Sequence, residues 1–404
     1  MAAAAPGART LHLALSATNF AQGLGAFSMI GILALVARDF ALQPSQAGLL
    51  LSLYAAVYAI ASPLLVAASG VLERRSVLAG GLLFVGGGAA AAALAPNFAV
   101  LLLARCVMAL GGAVTTPVAA SIGVATSHPD ARGRVLATVF AGLVLAQSAG
   151  VPFSAWLGGL WSWRAPLLLV FGVSALALAA VAWKVPRRLP VQVSSLAALG
   201  AVLRMPHALA AVSFIVFYVG CNLTLLTYLA PYLGTRFDLS QTQVAAALLA
   251  YGGFAFAGNA VGGRLTDRFG SGRTLVLLAA IMLVVLPAIT LGDWPLAPTL
   301  LLVGLWGLFG WAVHVPQQAR LAQTDPARAP LLLALHSAGI YLGVSLGATL
   351  AGLVLQWGDA RWLGPAGASL AVCALASLGV TRVFAARAAR RTPRRASGSP
   401  IGRA

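Results

Sequence analysis

Charged side chains are scarce in this 404-residue chain, at 8% of it against the roughly 25% of a soluble globular domain. A surface facing water on all sides cannot be assembled from so few. Acidic residues are scarcer still. The eight present, Asp39, Glu73, Asp130, Asp238, Asp267, Asp293, Asp325 and Asp359, fall between the apolar runs or at their ends. No run holds a carboxylate that could serve as a buried proton carrier or as counter-charge to a cationic ligand. Cysteine is limited to Cys106, Cys221 and Cys373, each inside an apolar run and none at metal-ligand spacing, so they read as free thiols. His-x-x-Glu-His, Ser/His/Asp and Cys-x-x-Cys arrangements are missing too. That argues against a membrane-embedded enzyme and gives no reason to expect a cofactor or metal.

Apolar residues are what the chain has in abundance: 60% of it, arranged in long blocks. About 20 apolar residues in a helix cross the ~30 Å of a bilayer's hydrocarbon, and lipid forces such blocks into helices because the backbone must satisfy itself. Twelve spans are expected, near 11–37, 45–69, 76–95, 98–125, 134–160, 164–184, 207–231, 241–263, 274–292, 297–320, 330–356 and 362–386. The chain is therefore read as an all-α membrane protein. Residues 1–184 form one six-helix bundle, 185–206 a cytoplasmic linker, 207–386 a second bundle and 387–404 a basic tail. The first block is too long for a signal-peptide core and lacks a small-residue cleavage site, so it stays as span one.

The formal charge of +18 invites a nucleic-acid reading, and its placement argues against one. Arg9, Arg74, Arg75, Arg132, Arg134, Lys184, Arg187, Arg188, Arg204, Arg264, Arg268, Arg273, Arg320, Arg328 and the tail arginines sit at the ends or after even-numbered spans. The opposite gaps hold only Arg38, Arg164, Arg236 and Arg361. This is the positive-inside pattern, and it puts both termini in the cytoplasm. The tail arginines face anionic lipid headgroups there. The abundance of alanine, and of arginine over lysine, points to a bacterial inner membrane.

The two halves are related. Phe40, Leu42, Gln46 and Tyr54 match Phe237, Leu239, Gln243 and Tyr251 at a constant offset of 197, and Gly111 and Pro117 match Gly310 and Pro316 at 199. The most specific motif follows span eight: Gly263-Arg264-Leu265-Thr266-Asp267-Arg268-Phe269-Gly270, then Arg273. It resembles the signature loop G-x-L-x-D-R-x-G of the major facilitator superfamily. In the first-half copy Val66, Gly70 and Val71 replace the glycine, aspartate and arginine, while Arg74 and Arg75 remain. Arg105 followed by Gly111, Gly112 and Ala113 is similar to the family's R-x-x-x-G motif. Gly150-Val151-Pro152, Leu157-Gly158 and Trp163-Arg164 resemble the antiporter motif of its twelve-helix drug:proton branch. The stretch His336 to Gly343 resembles the arabinose-efflux-like members of that branch.

The resemblance implies a monomeric carrier of a small molecule, with a midplane site lined by spans one, four, seven and ten. Gly263, Asp267, Arg268, Gly270 and Arg273 would bias its conformational states. Embedded polar and aromatic residues supply the substrate-binding candidates: Asn19, Gln22, Arg105, Gln147, Asn222, Trp306, His314 and Tyr341. Arg105 has two readings, contact with a polar or anionic solute or bonding to backbone carbonyls. His314 and His336 are the candidates for proton coupling. Each lies six residues from the cytoplasmic end of its span, hence ~9 Å deep at 1.5 Å per residue. The function expected is efflux of a small neutral or anionic organic solute by alternating access, with proton coupling as an option left open by His314 and His336. An uncoupled facilitator or importer is the alternative.

Overall fold

Apolar side chains that cover a helix on every side need lipid outside and other helices inside. The chain meets both needs in a computed structural model that describes residues 6–128, 132–187, 189, 196–324 and 329–391. Asp130, Asp325, Arg188, Arg328, Arg394, Arg395 and Arg403 lie outside the described residues. Twelve helices are long and apolar enough to cross a membrane. Large apolar side chains such as Ile60, Leu83, Leu103, Leu176 and Val284 cover the outer surface, where lipid tails replace water.

Spans one to four are α1 (Pro6–Asp39), α2 (Pro44–Ala68), α3 (Arg74–Ala93) and α4 (Phe98–Ala125). Span five comprises α5 (Arg132–Leu145), a π-helical turn at Ala146–Gly150, and α6 (Val151–Leu160). Span six is α7 (Arg164–Lys184). The linker carries a short helix, α8 (Leu196–Leu203), against α2, α9 and α15. Span seven is α9 (Pro206–Leu226) with α10 (Leu229–Phe237), span eight α11 (Gln241–Phe269) and span nine α12 (Ser271–Leu291). Span ten is α13 (Leu296–Trp311) with α14 (His314–Thr324). Spans eleven and twelve are α15 (Ala329–Trp357) and α16 (Leu363–Arg391). Among the described residues there is no strand.

The internal repeat extends to backbone detail. Ala41 and Asp238, 197 residues apart, have φ of 50° and 51°, and among the described residues they are the two non-glycines with left-handed backbone. Two residues after each, the backbone N–H of Gln43 and of Ser240 donates to the side chain of Gln46 and of Gln243, at 2.9 and 2.8 Å. Both halves thus enter their second helix through the same turn and the same reciprocal cap. The two bundles pack on each other mainly through α2 on α15 and α6 on α11, with α10 touching α1.

One expectation needs correction. The motif at Gly263–Arg273 is not a loop. Gly263, Asp267 and Arg268 lie on the last turns of α11, which runs six residues past its expected end. Only Gly270 interrupts the helix, at φ 79°, a region glycine enters without strain. Among the described residues Asp267 makes no ion pair, and the Arg268 guanidinium lies 5.3 Å from the Phe269 ring. In the first half Arg75 donates to the carbonyl of Ala182 at 2.5 Å, setting a cation on the C-terminal turn of α7, where the helix dipole favours it.

Candidate functional site

Three spans are interrupted, and each interruption follows from a proline. Proline has no N–H to give the carbonyl four residues before it. Pro152 leaves Ser148 without that donor, at the π-helical turn of span five. Pro231 does the same to Thr227, between α9 and α10, and Pro316 to Ala312, between α13 and α14. Broken helices inside a membrane are tolerated where they line a cavity or find protein partners. The three breaks converge on one cleft between the halves. Ser148, Leu226 and Trp311 carry the breaks to its wall.

The cleft lies between the halves. Phe27 and Ile30 of α1 and Val144, Gln147, Ser148 and Val151 of span five face Leu226, Leu248, Tyr251, Ala255, Phe256, Asn259 and Trp311. Among the described residues no charged side chain lines it. Its polar groups are two amides, Gln147 and Asn259, one from each half, with the Ser148 and Tyr251 hydroxyls and the Trp311 indole. Trp311 donates to the Tyr251 hydroxyl at 2.9 Å. Span five approaches span eight closely beside the cleft: a β-carbon at Gly252 would run into the Ser148 carbonyl, so only glycine fits.

Of the eight substrate-binding candidates, Gln147 alone lines this cleft; the others fall into separate clusters. Arg105 is fully buried in the first half. It donates to the carbonyls of Gly25 at 2.5 Å, Ala26 at 3.2 Å and Leu50 at 3.3 Å, and its guanidinium lies 4.2 Å from the Tyr54 ring centre. Its planar fork ties spans one, two and four together, the carbonyl-bonding alternative of the two read from sequence. Asn19 donates to the Val139 carbonyl at 2.9 Å and holds span one on span five. Gln22 and Tyr341 meet across the halves, where the Gln22 amide donates to the Tyr341 hydroxyl at 2.8 Å. Tyr341 also stacks on Tyr58 with ring centres 3.5 Å apart. Asn222 accepts from the Trp306 indole at 2.8 Å, behind Tyr251.

His314 and His336 do come together. Their ring centres are 6.1 Å apart and edge-on, and His314 lies 5.5 Å from Trp311. His336 is buried with neither ring nitrogen hydrogen-bonded. Orphaned donors and acceptors of this kind cost about 1–3 kcal/mol each.

The spans lining the cleft are thus one, five, seven, eight and ten, rather than the one, four, seven and ten that the resemblance implied. Ser148 and Tyr251 were not among the site candidates; Asn259 and Trp311 are an amide and an aromatic that the sequence does show embedded in spans eight and ten. The spacing of Pro152 and Pro316 from the carbonyls they release points to Ser148 and to the neighbourhood of Trp311; Tyr251 is the repeat partner of Tyr54.

The model of the Major Facilitator Superfamily matches residues 15–328 and 212–403. The chain belongs to that family. It is therefore a multi-pass membrane protein and a secondary transporter of a small solute. It is 28% identical over 349 residues to the inner membrane transport protein YdhP of Escherichia coli K12, covering 86% of this chain and 89% of that protein. It is 26% identical over 367 residues to the uncharacterized MFS-type transporter YbcL of Bacillus subtilis, covering 89% and 93%. Among solved structures it is similar to a bacterial homolog of the human lysosomal transporter Spinster, inward-facing and occupied. The TM-score there is 0.73 at 17% identity, over 96% of this chain and 98% of that one.

Proposed function

We propose that this chain exports a small, largely apolar and uncharged solute across a bacterial inner membrane in exchange for protons. Residues 1–184 and 207–386 rock about the cleft, joined by the 185–206 linker. The observation that carries this reading is the cleft wall: aromatic and aliphatic side chains with two amides and no formal charge. A cation entering it meets no carboxylate. An anion meets no guanidinium, because Arg105 is already engaged by three carbonyls elsewhere. The expectation of a neutral or anionic solute therefore narrows to a neutral one. Exchange rather than passive flow is favoured by the Gly150-Val151-Pro152 motif at the cleft and by the unpartnered His336 beside His314. With both termini in the cytoplasm, the α6–α11 packing lies at the periplasmic end.

Exchanging a neutral solute for a proton moves charge, whereas a facilitator moves none and passive leakage of a neutral solute is silent. Purified protein in liposomes on a solid-supported electrode should give a transient current on a jump in 4-nitrobenzamide. Neither 4-nitrobenzoate nor 4-nitrobenzylammonium should match it, and His336→Asn should abolish it while 4-nitrobenzamide still binds. Binding without current in wild type would establish the facilitator or importer. A response confined to the cation or the anion would refute the neutral substrate.

A further inference from the structure

The two halves treat the same carbonyl differently. In the first half Pro117 leaves the Ala113 carbonyl without its helical donor, and the Ser62 hydroxyl supplies one at 2.7 Å. The helix survives: α4 runs unbroken from Phe98 to Ala125. In the second half Pro316 stands 199 residues after Pro117 and leaves Ala312, 199 residues after Ala113. The residue equivalent to Ser62 at the span-two offset of 197 is Asn259. The Ala312 carbonyl lies against Gly262, one turn from Asn259 on α11. Yet Asn259 makes no hydrogen bond among the described residues, and span ten breaks at Ala312 and Val313. Asn259 is instead a wall residue of the cleft, beside Trp311.

We infer that Asn259 has exchanged the carbonyl-satisfying role of its repeat partner for substrate recognition: it is the second half's hydrogen-bonding residue for a neutral solute bearing a carbonyl or amide group. The inference rests on the uncharged-solute reading above. The amide offers two donors and an acceptor. A solute that pairs with it gains a directional contact in a wall that is otherwise mostly apolar. This is how a few placed polar groups orient a ligand in an apolar pocket. Gln147 faces it from the first half, so the two amides can hold one ligand only when the halves are close.

The test uses the full chain in nanodiscs, with quenching of tryptophan fluorescence by 4-nitrobenzamide and by 4-nitrotoluene, which lacks the amide. Wild type should bind the amide more tightly. Asn259→Ala and Asn259→Ser should each weaken 4-nitrobenzamide about five- to tenfold, the effect of one hydrogen bond, and leave 4-nitrotoluene unchanged. Asn259→Ser should also hold or raise the melting temperature, because serine restores the first-half arrangement. Unchanged amide affinity in both variants would overturn the inference and leave the neutral-solute reading standing. Tighter binding of 4-nitrobenzoate or 4-nitrobenzylammonium than of 4-nitrobenzamide in wild type would overturn both.

Discussion

Replacing Arg105 should damage the fold and spare the ligand. Arg105→Met keeps much of the side chain's volume and removes the fork. Hydrogen bonds from a charged donor contribute about 1.5–3 kcal/mol each, and a buried cation–π contact about 2 kcal/mol. Three such bonds and the Tyr54 contact are lost. Against this, the variant no longer buries a cation, a cost of several kcal/mol. The carbonyls of Gly25, Ala26 and Leu50 sit within helices and keep their in-helix partners. The net loss expected is therefore about 3 kcal/mol, or roughly 5–10 °C in melting temperature if the first half melts as a unit. Arg105→Lys should recover less than half, because an ammonium cannot reach three carbonyls from a planar fork. Thermal melting at a fixed scan rate, paired with 4-nitrobenzamide binding on the same samples, reads both effects. A variant that melts like wild type but no longer binds would refute the assignment and return Arg105 to the substrate site.

The close contact of Gly252 with the Ser148 carbonyl makes Gly252→Val a block on the packing of span five against span eight; transport should fall at least tenfold with expression intact, read as electrode current per mass of protein. Tyr341→Phe keeps the ring stack on Tyr58 and removes the bond from Gln22. Losing about 1 kcal/mol from a contact between the halves should shift the ratio of the two conformations about fivefold, measured by spin-label distances. Ala41 holds a left-handed conformation that Asp238 fills in the other half, so Ala41→Asn or Ala41→Gly should stabilise by up to about 1 kcal/mol and raise the melting temperature.

The spans were legible because lipid leaves a long apolar run no alternative to a helix, and all twelve lie where the runs put them. The repeat was legible in Phe40, Gln46 and Tyr54, and it forecasts the shared turn at Ala41 and Asp238. What was not legible is rotation. A helix apolar on every side does not advertise which face meets a partner, so Asn19, Asn222 and Arg105 looked like cleft residues while each bonds within one half. That His314 and His336 lie at similar positions on neighbouring spans needed only the helical rise, and the rings are adjacent. The end of α11 was misplaced because charged residues at 264, 267 and 268 read as a loop, although a polar helix end projecting from the bilayer costs nothing. The breaks were written in Pro152, Pro231 and Pro316. Pro117 shows why a proline alone does not decide: Ser62, from another span, mends α4.

If the two bundles rock about an uncharged cleft, the two ends of the molecule must open in turn. In a background with Cys106, Cys221 and Cys373 replaced, spin labels at Leu160 and Thr242 report the end where α6 meets α11. Labels at His128 and Gln323 report the opposite end. Pulsed distance measurements should give two populations for each pair. Adding 4-nitrobenzamide or lowering the pH should lengthen one distance as the other shortens. Single distances at both ends, unmoved by solute and by pH, would contradict the account.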